Sequence, residues 1–343
     1  MQPFKGMFWG VQYNDVYPRS RQFNNAANCQ ELIDFIDDEI TSRLQSGAVT
    51  LLGKVGEVQP PYIVSPITIE PTKPRLCINL MYLNSFMKDT PFNLDTLVDV
   101  PKTVRKGSFL TKLDDKSGYD NVFVTESSRH LLGFDWGGYF FCCNSLPFGW
   151  KNSAFIYHTL NLQGISFLRR KSISCLLYID DRLLEEFHGY LPNDLDNPIM
   201  RSHIALRYAV RLFISLGYFF NIDKSSFLPK QSLTFLGMSI DTVCMSFFIT
   251  EQGKHKFAML RENILSCNSC PIALIQKFTG MCISMSLDEF LCTNVYTVVL
   301  KNKIVLSCLV LAIPGAKRYT LVCNRAISKA VKELDDNQIL ERK

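Results

Sequence analysis

Two adjacent carboxylates set inside an otherwise apolar hairpin constrain this chain more than any other feature. Cys175-Leu176-Leu177 and Leu183-Leu184 flank Tyr178-Ile179-Asp180-Asp181, so Asp180 and Asp181 fall on a predicted turn between two strands. Two like charges side by side are unfavourable unless a cation compensates them, and hard oxygen ligands suit Mg²⁺. Asp-Asp is also common turn chemistry, so the pair alone decides nothing.

The decision comes from upstream. Phe109–Leu113 reads as a short strand ending at Asp114, and Asp115-Lys116-Ser117-Gly118-Tyr119 turns after it. Two-metal phosphoryl transfer needs carboxylates from separate elements converging on ions roughly 3.5–4 Å apart, one activating the attacking oxygen and one stabilising the leaving oxygen. Asp114 with the Asp180/Asp181 turn would supply that set. Between them, Leu146-Pro147-Phe148-Gly149-Trp150 is a turn that opens a predicted helix with Phe155, His158 and Leu162 on one face.

In this order, the Asp114 strand, the Leu-Pro-Phe-Gly turn, the Tyr-Ile-Asp-Asp hairpin and a later Leu233-Thr234-Phe235-Leu236-Gly237 strand resemble the reverse transcriptases of retroelements. Arg75-Leu76-Cys77-Ile78-Asn79-Leu80-Met81-Tyr82-Leu83-Asn84 is similar to the family's fingers motif, and Gly217-Tyr218-Phe219-Phe220-Asn221 with Lys224 to the segment before its primer-grip hairpin. The wording Asp114-Asp115-Lys116-Ser117-Gly118-Tyr119-Asp120 and Tyr178-Ile179-Asp180-Asp181-Arg182-Leu183 resembles the DIRS-like elements, which pair this polymerase with a tyrosine recombinase. The family usually has Asp and Arg where this chain has Asn79 and Met81, so a bracing charge pair is missing on both sides at once.

The resemblance implies an α+β right-hand polymerase with fingers, an antiparallel palm sheet and a partial helical thumb. Expected boundaries are an irregular segment 1–27, fingers 28–108 (helix 28–46, hairpin 62–80), a palm 109–249 with a primer-grip hairpin, and a thumb or connection region 250–343. The reverse transcriptase domain would span about residues 50–241, with no room for an RNase H domain before Lys343. The implied reaction is RNA-directed DNA synthesis with two Mg²⁺ or Mn²⁺ ions on Asp114, Asp180 and Asp181. Lys73, Arg75, Asp115, Tyr119, Phe148 and Lys224 would bind the incoming deoxynucleoside triphosphate, and Leu236, Gly237 and Met238 would form the primer grip. Implied partners are an RNA or DNA template with its primer, and an element-encoded RNase H and recombinase in a full-length polyprotein. Lys73 equally fits an ordinary turn lysine, Lys224 a surface charge, and Tyr119 and Phe148 plain core aromatics. The alternative class is an inactive remnant that at most binds nucleic acid. An RNA-dependent RNA polymerase shares the Asp-Asp hairpin, but the bulky ring of Tyr119 argues against a ribose 2′-hydroxyl.

Composition agrees without deciding. At 343 residues and 47% hydrophobic the chain can bury a large core in more than one subdomain, and a net charge of +5 mildly favours a polyanionic partner. Twelve cysteines without a secretory signal suggest reduced thiols and an intracellular setting, cytoplasmic or nuclear. Cys267-Asn268-Ser269-Cys270 lacks a second ligand pair for zinc, and the apolar stretches near 298–313 are interrupted well short of the ~20 residues a bilayer demands.

Locally, Leu32, Ile36, Ile40 and Leu44 recur at helical spacing, Asn28 with Glu31 resembles a capping box, and Gly47 would end the helix. Helices are also predicted over 204–216, 256–265 and 272–284. Leu233–Ile240 and Cys244–Phe248 read as one hairpin turning at Asp241-Thr242-Val243. In DIRS-like relatives an Ile-Ser-x-Ser stretch runs directly into Leu-Ala-x-Pro-Gly-Ala-Lys. Here Leu287–Val310 separates Ile283-Ser284-Met285-Ser286 from Leu311–Lys317, and it reads as an insertion, a retained intron or a translation artefact.

Overall fold

The computed structural model describes residues 17–70, 74–193, 196–266, 269–285 and 320–322. Lys73, Cys267 and the 287–310 stretch lie outside the described residues. The chain divides into two compact units: residues 1–95, 112–190 and 203–227, and residues 96–111, 191–202 and 228–343.

A four-stranded sheet runs in the order Ser226–Lys230, Leu110–Asp114, Asp181–Phe187, Ile173–Tyr178, with Lys112–Asp114 and its last two strands in the first unit. The last two form an antiparallel hairpin with Asp181 opposite Tyr178 and Leu183 opposite Leu176. Helix Ser153–Arg170 covers this sheet with Ile156, Tyr157, His158, Asn161, Gly164, Ile165 and Leu168 buried. Gly164 is required there, because a Cβ would stand 2.7 Å from the Phe213 ring. Helix Pro198–Ser215 adds Ala205, Ala209 and Phe213 to the same core. Asp95 ties a long connection to the hairpin, accepting from the Leu177 N–H at 2.9 Å and from Arg169 Nη2 at 2.6 Å.

A second, five-stranded sheet in this unit runs Arg21–Gln22, Ile63–Val64, Gly133–Trp136, Tyr139–Cys143, Val49–Lys54. Cys142 and Cys143 are both buried in it, as adjacent small hydrophobes on a covered strand. Within the expected 62–80 hairpin, Ile67–Ile69 pairs with Leu76–Ile78, Ile69 opposite Leu76, whereas Ile63–Val64, before Ser65-Pro66, joins the five-stranded sheet instead.

The expected helix 28–46 is divided. Ala27–Glu31 is a 3₁₀ turn and the α-helix runs Ile33–Gln45, with Gly47 beyond it at φ +75°. The capping box is not made: Asn28 instead donates to the Ile69 carbonyl at 2.8 Å and accepts from Thr68 Oγ1 at 3.3 Å, a tertiary use that outcompetes the local one.

In the second unit the expected strand Leu233–Ile240 is broken. Leu236 (φ +47°) and Gly237 (φ +82°) make a two-residue turn, and three strands result, Ser232–Phe235, Met238–Asp241 and Ser246–Ile249. Both turn residues lie in the left-handed region that tight hairpins need, a signal that Gly237 carried in the sequence. Thr242 anchors this sheet to the 96–111 segment, donating through Oγ1 to the Ser108 carbonyl at 2.7 Å. Helices Glu251–Ser266 and Ile272–Ser284 follow, with the Phe257 and Phe278 rings 5.4 Å apart. No helix among the described residues is long and apolar enough to cross a membrane.

Candidate active site

Strand alternation aims the upstream acid. Along Leu110–Asp114, Leu110, Thr111 and Leu113 are buried while Lys112 and Asp114 share the half-open face. The Asp114 backbone is held from both sides: its N–H donates to Ser225 Oγ at 3.0 Å and its carbonyl accepts from the Asn221 N–H at 2.8 Å. Across the sheet, Ile179 turns the hairpin at φ +54°. For a β-branched residue that conformation costs about 1–3 kcal/mol and persists only when neighbours over-determine it. Two do so here: the Ile179 side chain packs on the core, and its carbonyl accepts from Asn161 Nδ2 at 3.0 Å.

The acids feel one another. Burial, then Asp181, and further Asp115 and Asp114, push the Asp180 carboxyl up to about 6. Asp181 is also raised, by burial first and then Asp114 and Asp115, against the opposing pull of Lys112 and Lys224. Its Oδ1 is buried with no hydrogen-bond partner among the described residues, and Lys112 Nζ stands 3.8 Å away, beyond hydrogen-bond reach. Among the described residues no three His, Cys, Asp or Glu side chains already form a metal-holding group. An orphaned carboxylate oxygen among mutually repelling acids fits a hard divalent cation that takes one or two carboxylates and completes its shell with water and phosphate oxygens.

The predicted pocket residues Tyr119 and Phe148 come together as a stacked pair, centroids 4.9 Å apart. Burial, and then Asp180, raise the Tyr119 phenol to about 12. Phe148 is exposed at the tip of its turn. That turn is fixed at Gly149 (φ +97°), where a Cβ would overlap the Ile78 carbonyl oxygen, and by Asn84, which donates to the Gly149 carbonyl and accepts from the Lys151 N–H, both at 2.9 Å. Asn79, in the place of the missing charge pair, accepts from the Met81 N–H at 3.1 Å just ahead of the short Met81–Asn84 helix, and Met81 itself is exposed.

Arg75 is exposed at the turn end of the hairpin that pairs Ile67–Ile69 with Leu76–Ile78, and Lys224 is exposed near enough to Asp181 to lower its carboxyl. Two expectations need correction. Asp115 does not face a ligand: its carboxylate is buried against Arg182 in a two-pronged pair, Nη1 to Oδ1 and Nη2 to Oδ2, the latter at 2.9 Å. Met238 is 3% exposed, so its side chain belongs to the core of the hairpin, and the turn presents Leu236 and Gly237 instead. Residues that sequence reasoning missed are Lys112, signalled by its i, i+2 relation to Asp114, and the buried polar set of Tyr157, Asn161 and Arg182. Of that buried set only Arg182, a charge beside the apolar run Leu183-Leu184, gave a visible sign.

A sheet that sets one strand-end acid beside a two-acid hairpin turn, with an aromatic pair nearby, is the kind of arrangement that two-metal phosphoryl transfer requires. Residues 71–240 match the family model described as reverse transcriptase (RNA-dependent DNA polymerase). The chain is 26% identical over 215 residues to the retrovirus-related Pol polyprotein from transposon gypsy of Drosophila melanogaster, covering 60% of this chain and 19% of that one. It is 27% identical over 187 residues to the enzymatic polyprotein of Figwort mosaic virus, covering 54% and 26%. In fold it is similar to the foamy viral protease-reverse transcriptase in complex with an RNA/DNA hybrid, with a TM-score of 0.61 at 18% identity over 95% of this chain and 41% of that one. The foamy viral protease-reverse transcriptase dRH in complex with dsDNA matches at a TM-score of 0.61 and 16% identity, over 95% and 53%. Residues 71–240 are thus similar to reverse transcriptases in sequence, and the chain is similar to them in fold. It spans about a fifth to a quarter of the length of these two polyproteins.

Proposed function

We propose that this chain performs template-directed DNA synthesis, joining a primer 3′-hydroxyl to the α-phosphate of a deoxynucleoside triphosphate with release of pyrophosphate. The observation that carries the reading is the approach of Asp114, Asp180 and Asp181 to one another: Asp181 and Asp114 both raise the Asp180 carboxyl, and Asp114 raises that of Asp181. We assign these three as ligands of two Mg²⁺ ions, which when bound would activate the 3′-hydroxyl and screen the phosphates. Lys112 restrains Asp181. Arg75 and Lys224 supply cationic donors for phosphate, and a guanidinium can fork onto two phosphate oxygens. Tyr119, held flat against Phe148, occupies the place where a 2′-hydroxyl would stand.

The subdomain reading follows the same lines: fingers over 28–108, palm over 109–249 with Leu236 and Gly237 at the primer-grip turn, and a thumb or connection region beyond. The template is RNA or DNA, in keeping with the dsDNA and RNA/DNA hybrid bound in the foamy viral structures. The Asp-Asp-Lys-Ser-Gly-Tyr and Tyr-Ile-Asp-Asp-Arg wording supports a DIRS-like origin. Primer extension on poly(rA)/oligo(dT) with and without Mg²⁺ tests the reading. Asp114→Asn keeps the volume and removes the charge, and it should abolish incorporation while leaving duplex binding intact. Equal incorporation by this variant and an active wild type would remove the two-metal assignment.

A further inference from the structure

Directly beneath the three acids lies a charge pair that stability alone does not require. Arg182 is completely buried, its guanidinium 3.9 Å from the Phe213 ring centroid and 5.2 Å from that of Tyr218, and its Nε has no hydrogen-bond partner among the described residues. Removing two ions from water costs several kcal/mol each, and apolar residues of similar volume commonly fill such space at equal or better stability. What apolar residues lack is direction, and here direction is supplied to three separate elements.

Asp115 immediately follows the strand-end Asp114, and Arg182 immediately follows the hairpin acids. Their two-pronged pairing therefore locks one carboxylate-bearing backbone to the other. One helical turn apart on the covering helix, Tyr157 and Asn161 complete the link. Asn161 divides its amide: Oδ1 accepts from Arg182 at 2.5 Å while Nδ2 holds the strained Ile179 carbonyl at 3.0 Å. Tyr157 donates its hydroxyl to Asp115 Oδ2 at 2.5 Å, and its ring stands edge-on to Tyr119 at 5.1 Å. Gly118 is glycine at this junction because a Cβ there would overlap the Tyr157 hydroxyl.

We propose that Asp115, Arg182, Tyr157 and Asn161 are positioning residues, a buried brace that holds the Asp114 strand end, the Ile179–Asp180 turn and the Tyr119 ring in one fixed relation. The metal-holding acids and the sugar-discriminating ring then keep their register together. The brace rests on the roles proposed above for those acids and for Tyr119.

Two variants test it. Asp115→Leu/Arg182→Leu removes both charges at once, and Tyr157→Phe removes one hydroxyl while keeping its ring. The double variant should unfold at a denaturant concentration equal to or above that of the wild type, yet lose at least about thirtyfold in kcat with template–primer affinity unchanged. Tyr157→Phe should lower kcat about fivefold with little change in KM, and raise the ribo- to deoxynucleotide ratio at least about threefold. Amide exchange should quicken in 116–122 and 178–182 in both variants and stay unchanged in 238–249. Wild-type kcat and selectivity in the stable double variant, or unchanged exchange around Tyr119 in Tyr157→Phe, would overturn the brace. Should the double variant not fold, Tyr157→Phe decides. A wild type that incorporates nothing removes the proposed polymerase activity, and the exchange measurement then decides the brace alone, local quickening supporting it and no change overturning it.

Discussion

Asp180→Asn should make the cation-free protein more stable while ending its chemistry. The Asp180 carboxyl is pushed from 3.8 to about 6, by burial first and Asp181 second, an interval equivalent to about 3 kcal/mol. Below pH 3.8 it is protonated in folded and unfolded chains alike and costs nothing. Above about pH 6 it is ionised in both, and the folded state bears the whole cost, so this group's contribution to stability falls as pH rises through that window. Asn carries no charge at any pH. The variant should therefore exceed the wild type by up to about 3 kcal/mol at pH 8 and by about half of that at pH 5. Urea unfolding in the presence of a chelator at the two pH values measures the difference. Replacing the chelator with Mg²⁺ at pH 8 should recover stability for the wild type and much less for the variant, because only a folded site with its charge intact gains from the ion. A variant no more stable than wild type at pH 8 would show that the surroundings of Asp180 do not penalise its charge, and the cation argument would lose its basis.

Further outcomes follow from single contacts. Tyr119→Ala should raise the ribo- to deoxynucleotide incorporation ratio more than about tenfold, or about 1.4 kcal/mol of lost discrimination, in single-nucleotide extension; an unchanged ratio returns the ring to a packing role. Gly149→Ala should destabilise the fold by at least about 2 kcal/mol in denaturant melts, since the new methyl meets the Ile78 carbonyl at a positive φ; a loss of a few tenths would show that the turn relaxes freely. Leu236→Gly should stabilise its hairpin by up to about 1 kcal/mol by relieving a left-handed non-glycine residue, measured the same way. Lys112→Met removes the stronger of the two charges that hold the Asp181 carboxyl down, so the acid limb of the incorporation–pH profile should move to higher pH; an unmoved limb would exclude Lys112 from the site.

The site was more legible in the sequence than the elements around it. Asp114, Asp180 and Asp181 could be read because their chemistry is local: an acid at a strand end, and a pair at a turn bounded by apolar runs. Asp115 misled because adjacency to Asp114 says nothing about which side of the chain a residue faces once the strand ends, and its partner Arg182 lies 67 positions away. Asn28 and Glu31 had the spacing of a capping box, but the Ile69 carbonyl and Thr68 hydroxyl offered Asn28 better partners, both distant in sequence. The break at Leu236-Gly237 was missed because a leucine at positive φ is rare enough to hide the turn that the glycine beside it announces.

The wide spacing of the site residues also bears on how the protein folds. Asp114 and Asp180 meet only after a long loop has closed, and Asn221 and Ser225, which fix the Asp114 backbone, are more distant still. Their loop-closure entropy is lost before any of their contacts is gained, so the acidic site forms late, around a nucleus built from the short-range Ile173–Phe187 hairpin and the helix that precedes it. A divalent cation therefore meets no organised acid cluster early in folding. It should slow unfolding rather than speed folding, and in kinetic traces with rising Mg²⁺ the unfolding limb alone should move.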